Sequence, residues 1–327
     1  MTLSRAALDR ITRLRELFLD DDRGAAPLAD YWRSADDLQA YDEVLGARIG
    51  WKWDAALAEA KSRGFGRADG ETVLDFGCGS GIASRRFLAH CGAGEVLYHD
   101  RSRAAMAFAA ERLRAVAPST KGRALRELAA VQPDVLLVSH VVGELDAQGL
   151  DELRGLIHRS RRVVIVEPGN RSASRRLSTL RDELLAQFTV LAPCTHALAC
   201  PALPDPNEWC HFFAPPPPEV FTESHWVLTA RALGIDLRAL PYSFLALVRE
   251  PAAQPSPRAR VLGRPIMAPH HARVRVCDAA GLRFEQVEKR TAKATWKALK
   301  KAPETVRFLP HEGAEPCREP DGDGNTG

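Results

Sequence analysis

The sequence predicts an α/β protein built on a doubly wound sheet, with a helical N-terminal region and a cysteine-rich metal-binding insertion. Three observations predict it. Short apolar segments alternate with amphipathic helical ones from Thr72 onward. A glycine loop joins the first such pair. The alternation then stops near Pro193, at a stretch rich in Cys, His and Pro.

Residues 1–66 read as helical, because Leu14, Leu17 and Phe18, and then Ala56, Leu57 and Ala60, recur at helical spacing. Residues 67–192 form the predicted core. Its strands are expected at Thr72–Phe76, Glu95–His99, Asp134–Ser139 and Arg162–Glu167. Its helices are expected at Ile82–His90, Ala104–Val116, near Leu150–His158, and at Ser172–Gln187. Such alternation implies a parallel sheet covered on both faces. Residues 193–218 form the insertion, ending in four prolines (215–218) that neither helix nor strand can absorb. Residues 219–310 are expected to complete the core, with strands at Ser243–Arg249, Val274–Cys277 and Leu282–Val287 and a basic helix. The tail, 311–327, is polar and reads as disordered.

The string Val73-Leu74-Asp75-Phe76-Gly77-Cys78-Gly79-Ser80-Gly81 places three glycines at alternate positions between strand and helix. Glycine allows the tight turn and lets backbone N–H groups approach a ligand at the positive end of the next helix. A dinucleotide fingerprint would need its third glycine at Ile82, and a phosphate loop needs Gly-Lys-Ser/Thr, which is absent. The compact form after an aspartate resembles the class I, Rossmann-like motif of S-adenosylmethionine-dependent methyltransferases. That resemblance implies an acidic residue ending the next strand, where Asp100 lies, to accept from the ribose hydroxyls. Asp75, Gly77, Gly79, Gly81, Asp100 and Ser139 form the candidate cofactor set.

The acceptor side is less explicit. Ser139-His140-Val141-Val142-Gly143-Glu144-Leu145 lacks the Asn/Asp-Pro-Pro-aromatic tetrad common in enzymes that methylate exocyclic amines. His140 is a candidate base or a structural residue, and Glu167-Pro168-Gly169 reads as a loop-shaping element. No catalytic residue is assigned.

Three cysteines and two histidines, Cys194, His196, Cys200, Cys210 and His211, crowd an irregular stretch, which argues for a metal. Their spacing matches neither a zinc ribbon nor the cluster loop of radical enzymes. A fourth thiolate, best supplied by Cys277, would complete an iron–sulfur site. Zinc held by the three cysteines and one histidine is the rival, uncoordinated buried thiols are the third reading, and spacing alone does not choose between zinc and a cluster.

The chain carries a net +3, but its charge is uneven. Between Pro251 and Lys301, seven Arg and five Lys meet three acidic residues, a net of +9 that leaves −6 for the remainder. Five of the eight lysines fall in one segment, where Lys289, Lys293, Lys297 and Lys300 share a helical face with Trp296. Such a stripe suits RNA phosphates, with Trp296 itself expected to pack inward. No apolar run is long enough to span a bilayer, and the acidic N-terminus suits neither a signal nor a transit peptide. A cytoplasmic protein is expected.

One family resemblance covers roughly residues 70–300. Ala192-Pro193-Cys194-x-His196-x3-Cys200-Pro201 followed by Trp209-Cys210-His211-Phe212 is similar to the small-ribosomal-subunit methyltransferase-like family (Rsm-twenty-two type), whose eukaryotic members are mitochondrial small-subunit assembly factors. The glycine loop, Asp100-Arg101-Ser102, the string 139–145, Tyr242-Ser243-Phe244-Leu245, Arg264-Pro265 and Gly281 follow the same pattern. The resemblance implies a [4Fe–4S] cluster on Cys194, Cys200, Cys210 and Cys277, with S-adenosylmethionine as cofactor. It also implies small-subunit rRNA as partner, and the protein is expected to be monomeric off the ribosome. A non-catalytic RNA-binding assembly factor and a small-molecule methyltransferase with a zinc loop are the alternatives.

Overall fold

A computed structural model describes residues 4–19, 30–250 and 258–309. The expectation for the tail 311–327, with its Cys317, lies outside the described residues, as does the Pro-rich loop 251–257.

The first strands form where the apolar runs predict them. β1 (Thr72–Phe76), β2 (Glu95–His99), β4 (Val135–Ser139) and β5 (Arg162–Pro168) pair in parallel, with β3 (Lys121–Ala124) on the outer edge. β3 was missed because its sequence, Lys-Gly-Arg-Ala, has no apolar pattern, and all four residues are exposed. The whole sheet runs β3-β2-β1-β4-β5-β8-β6, with the two-residue β7 (Phe212–Phe213) added beside β8. β6 (Thr189–Ala192) and β8 (Pro241–Val248) pair antiparallel, and β8 is antiparallel to β5 as well. The wholly parallel sheet expected from the alternation is therefore corrected. The chain runs past the edge as β6, and its return strand wedges between β5 and β6 in the opposite direction.

Period-two alternation builds two cores. Val73, Leu137, Val164 and Val166 face one side, with Trp53, Phe65 and Phe87. Leu74, Leu136, Val138 and Ile165 face the other, with Leu153, Leu156 and Leu177. The covering helices are α4 (Ile82–Cys91), α5 (Arg103–Val116), α6 (Ala147–Arg159) and α7 (Arg171–Leu184). Ser102, Asp146 and Asn170 cap the last three, each accepting a backbone N–H from the first turn.

The helical N-terminal region holds α1 (Arg5–Leu19), α2 (Ala35–Tyr41) and α3 (Ala47–Ser62), the last two joined by a π-helical turn at Asp42–Gly46. Asp42 in that turn binds Arg85 of α4 at 2.5 Å and Arg112 of α5 at 3.1 Å, fastening the region over the carboxyl ends of the strands. Past β7, α8 (Glu219–Thr222) and α9 (Ser224–Leu233) lead back to β8. Arg48 of α3 donates to the carbonyls of Asp236 and Ala239 in that return path.

Residues 219–310 do not all complete the first sheet. Only β8 does. β9 (Ala259–Met267), β10 (His271–Asp278), β11 (Gly281–Glu288) and β12 (Phe308–Leu309) make a second, antiparallel sheet in the order β11-β10-β9-β12. Its inner face carries Val261, Ala272, Val274, Val276 and Val287, packed on Trp296 and Leu299 of α10 (Lys293–Lys301). Among the described residues, no helix is long and apolar enough to cross a membrane.

Candidate functional site

The register brings the carboxyl ends of the central strands level. Phe76 lies beside His99 and Val138, and Ser139 beside Val166. The loop after β1 therefore opens between Asp100 on one side and His140 on the other, where open α/β sheets take their ligands. Gly77, Gly79 and Gly81 have φ of 68°, 50° and 74°, in the left-handed region that side chains disfavour. A Cβ on Gly79 would meet nothing within 4 Å, whereas one on Gly77 would lie 2.5 Å from Val141. On Gly81 it would lie 2.7 Å from the Cβ of Ala109 and 3.1 Å from its Cα, backbone that cannot yield. Gly81→Ala is expected to cost about 1–3 kcal/mol from backbone conformation alone, before the clash. A thermal unfolding curve matching wild type would contradict this.

Asp100 stands at the end of β2 with its carboxylate accepting from Gly79 N–H and Ser102 N–H, both at 2.9 Å. Burial raises its pKa against these hydrogen bonds. Asp75 is wholly buried and takes Ser84 N–H at 3.2 Å, while its Oδ1 has no partner. Burial pushes it up to about 7. It thus ties the loop to the first turn of α4. Ser139 accepts from Trp53 Nε1 at 2.9 Å, so this candidate cofactor residue is engaged by α3. Burial, with Glu144, raises the phenols of Tyr31 and Tyr41 in the N-terminal region.

On the acceptor side, His140 is the one described non-glycine residue with positive φ, 57°. Its N–H donates to Val166 O at 2.9 Å, and its Nε2 is shielded from solvent without a partner. Glu167 Oε1 accepts from Val141 and Val142 N–H at 2.9 and 3.1 Å, which supports the loop-shaping role read from the sequence. Arg176 of α7 donates to the carbonyls of Val142 and Gly143. Burial and neighbouring Arg48 lower Lys52 of α3 to about 7, against the opposite pull of Glu167. Lys52 was missed; its only signal was a lysine set between two tryptophans on a helix.

The fold places the insertion's cysteines and Cys277 in one region. Cys194 leaves β6, Cys200 and Cys210 bracket the loop, and Cys277 ends the run of β10 beside Arg260 and Leu282. Burial raises the thiols of Cys194, Cys210 and Cys277, the last to about 12. Cys210 and Cys277 each feel Cys194 and Cys200, and Arg181 and Arg63 pull Cys194 back down. His196 Nε2 lies 3.6 Å from Cys277 Sγ and its Nδ1 accepts from Leu198 N–H, while His211 stacks on Trp209. Among the described residues, no three His, Cys, Asp or Glu side chains come together as ligands of one ion. A tetrahedral zinc with bonds near 2.3 Å would need thiolates about 3.8 Å apart. The zinc site expected as the rival is thus not formed by these side chains. The cysteine-rich insertion is therefore present, but a grouping of its side chains as cluster ligands is likewise not seen among the described residues.

Arginines hold this loop by its carbonyls. Arg175 donates to Ala202, Leu203, Asp205 and Glu208, and Arg181 to His196 and Leu198. Arg63 reaches Leu191, Pro193 and Cys194, and is itself bound to Glu59 at 3.0 Å.

The basic segment differs in part from expectation. α10 begins at Lys293, so Lys289 sits in the preceding turn and not on the helix. Trp296 is buried, with Lys289 and Lys300 Nζ at 4.7 and 5.4 Å from its ring. Lys293, Lys297 and Lys300 are exposed. On the outer face of the second sheet, Arg273 and Arg275 flank the exposed ring of Phe284 at 4.7 and 4.5 Å, a pairing not singled out from sequence.

The strand order, the glycine loop after β1 and the carboxylate ending β2 define an α/β fold of the class I methyltransferase type. Residues 56–304 match the family model described as mitochondrial small ribosomal subunit Rsm22, and the chain belongs to that family. Similar solved structures include magnesium protoporphyrin IX methyltransferase (ChlM) from Synechocystis PCC 6803 with bound SAM. It is 15% identical over 76% of this chain and 100% of that one, with a TM-score of 0.41. The methyltransferase domain of bacterial CtHen1-C is 13% identical over 62% and 100%, with a TM-score of 0.40. M. capricolum TrmK in complex with S-adenosyl-homocysteine is 7% identical over 60% and 70%, at 0.35. Among curated proteins, none matches the chain.

Proposed function

We propose that this protein is an S-adenosylmethionine-dependent methyltransferase of small-subunit rRNA, acting during assembly of that subunit and carrying a [4Fe–4S] cluster. One observation carries the reading: three left-handed glycines turn β1 into α4 directly against Asp100, on a chain of a small-ribosomal-subunit family. The positive end of α4 would face the anionic carboxylate of the cofactor, and Asp100 the ribose hydroxyls. Bound S-adenosylmethionine supplies an electrophilic methyl group, and the crevice supplies proximity and orientation. Cys194, Cys200, Cys210 and Cys277 would hold the cluster as a structural tie between β6, the insertion and β10. Lys293, Lys297 and Lys300 on α10, with Lys289 before it, would meet RNA phosphates. The protein would act as a monomer away from the ribosome, in the cytoplasm.

Calorimetry with S-adenosylmethionine tests the cofactor. Wild type is expected to bind, and Asp100→Ala to weaken binding by at least about tenfold, the equivalent of one charge-assisted hydrogen bond. Full affinity in Asp100→Ala would remove the assignment, and no binding by wild type would favour the non-catalytic assembly factor. Iron and acid-labile sulfide in anaerobically purified protein, lost in Cys210→Ser, test the cluster separately. Charge reversal at Lys293 and Lys297 is expected to weaken rRNA binding and flatten its salt dependence.

A further inference from the structure

We propose that His140 accepts the proton released when a nitrogen of the RNA acceptor is methylated, with Lys52 and Glu167 as positioning residues. The proposal rests on the methyl transfer put forward above and adds the acceptor chemistry that the sequence left blank. Four observations meet at this residue.

The first is place. His140 follows the last residue of β4, at the carboxyl edge of the sheet, and its neighbour Val141 touches the position a Cβ would take on Gly77. The imidazole therefore belongs to the loop that forms the opposite wall of the crevice from Asp100. The second is conformation. A φ of 57° at a histidine is strained backbone, which persists only where the surroundings impose it. Here they do. Val166 O holds the His140 N–H, Glu167 takes the next two N–H groups, and Arg176 takes two carbonyls.

The third is the unpaired ring nitrogen. His140 Nε2 is buried and makes no hydrogen bond, which is costly for a ring nitrogen with only a structural task. The fourth is charge. Lys52 on α3 lies near enough to disfavour a charged imidazole; Arg48 and Glu167 act in turn on Lys52, and Glu144 on Glu167. The ammonium and burial together keep the imidazole neutral at rest, the form a base requires.

The step balances simply. The acceptor nitrogen's lone pair forms the new N–CH3 bond as the S–CH3 bond breaks. That electron pair stays on sulfur, turning the sulfonium into a neutral thioether. The hydrogen on the attacking nitrogen passes as a proton to Nε2, leaving an imidazolium. The proposed substrate class is a nucleobase nitrogen that carries a hydrogen, since only such an acceptor nitrogen leaves a proton for the base to take.

His140→Gly and His140→Asn both tolerate a positive φ, so each keeps the backbone while removing the base. Methyl transfer from radiolabelled S-adenosylmethionine to small-subunit RNA, by the full chain, is expected to fall at least about 100-fold in either variant. Cofactor affinity by calorimetry should stay within about twofold of wild type. Added imidazole should restore part of the activity of His140→Gly, which a purely structural role would not allow. Wild-type rates in His140→Gly would overturn the proposal. So would a nitrogen NMR spectrum of the wild-type protein with S-adenosylmethionine bound in which His140 Nε2 carries a proton at neutral pH. Wild type that binds the cofactor yet methylates no small-subunit RNA overturns this step while leaving the cofactor site intact. Wild type that binds no cofactor overturns the proposed function as well.

Discussion

Glu59→Ala is expected to lower the free energy of unfolding by about 3–5 kcal/mol, the range seen when one member of a buried ionic group is removed. Glu59 is 1% exposed and lies between two guanidinium groups, Arg63 at 3.0 Å and Arg260 at 2.8 Å. Burial lowers Arg63 to about 10 even with this carboxylate beside it. Arg260 is buried against the rings of Phe212 and Phe308, 4.2 and 5.2 Å from their centres. The trio joins α3 of the N-terminal region, the start of the cysteine loop and β9 of the second sheet. Alanine would leave two cations without a counter-charge in a dry site. Urea denaturation of the variant measures the loss. A change under about 1 kcal/mol would mean that water reaches these guanidinium groups. Arg63→Ala should do less harm to the charge balance, since it leaves the Glu59–Arg260 pair, but should free the carbonyls of Leu191, Pro193 and Cys194.

The stability of the cofactor-free protein should fall as pH rises from about 4 to about 7, and Asp75→Asn should remove much of that fall. Asp75 is held up to about 7 from an ordinary 3.8. Between those values the folded state binds a proton that the unfolded state has lost, so stability decreases with pH in that window. The stabilisation is complete below the unfolded value and gone above the folded one. A displacement of this size corresponds to roughly 4 kcal/mol across the window. Glu167, also raised to about 7 by burial, adds a slope of the same sign. Wild type and Asp75→Asn compared by urea denaturation at pH 5, 6, 7 and 8 separate the two carboxyls. Equal slopes would show that Asp75 is not protonated in the fold.

Much of this was legible in the sequence, and the gaps have physical causes. The strands β1, β2, β4 and β5 declared themselves because buried parallel strands need continuous apolar runs, and Val135–Val138 and Val163–Val166 have no other use. The glycine loop was legible because left-handed turns leave few alternatives to glycine. β3 was hidden by its exposed Lys-Gly-Arg-Ala sequence, and β6 is only four residues long. The direction of β8 could not be read, since a strand buried on both faces looks alike whichever way it runs. The separate second sheet escaped for a related reason. Val274–Cys277 and Leu282–Val287 read as strands, but nothing local says which sheet they join. Of the candidate site, Asp100 was singled out from the resemblance of the glycine loop to a cofactor motif, and the four cysteines from their crowding, the position of Cys277 and the family resemblance. Lys52 and Glu59 depend on what a distant segment brings against them, which one sequence does not carry.

Arg175 has a consequence for how the cysteine loop is filled. One guanidinium donates to four carbonyls between Ala202 and Glu208, and Arg181 holds two more, so the loop's shape is set by its own cations. A loop braced in this way would not need refolding each time the proposed cluster was lost. Emptying and refilling become a matter of diffusion and ligand exchange, with the ordering entropy already spent in folding the chain. If the proposed cluster is present, iron and sulfide should reload onto chelated protein without a denaturing step, and a chain lacking Arg175 should reload slowly even where its four thiols are intact.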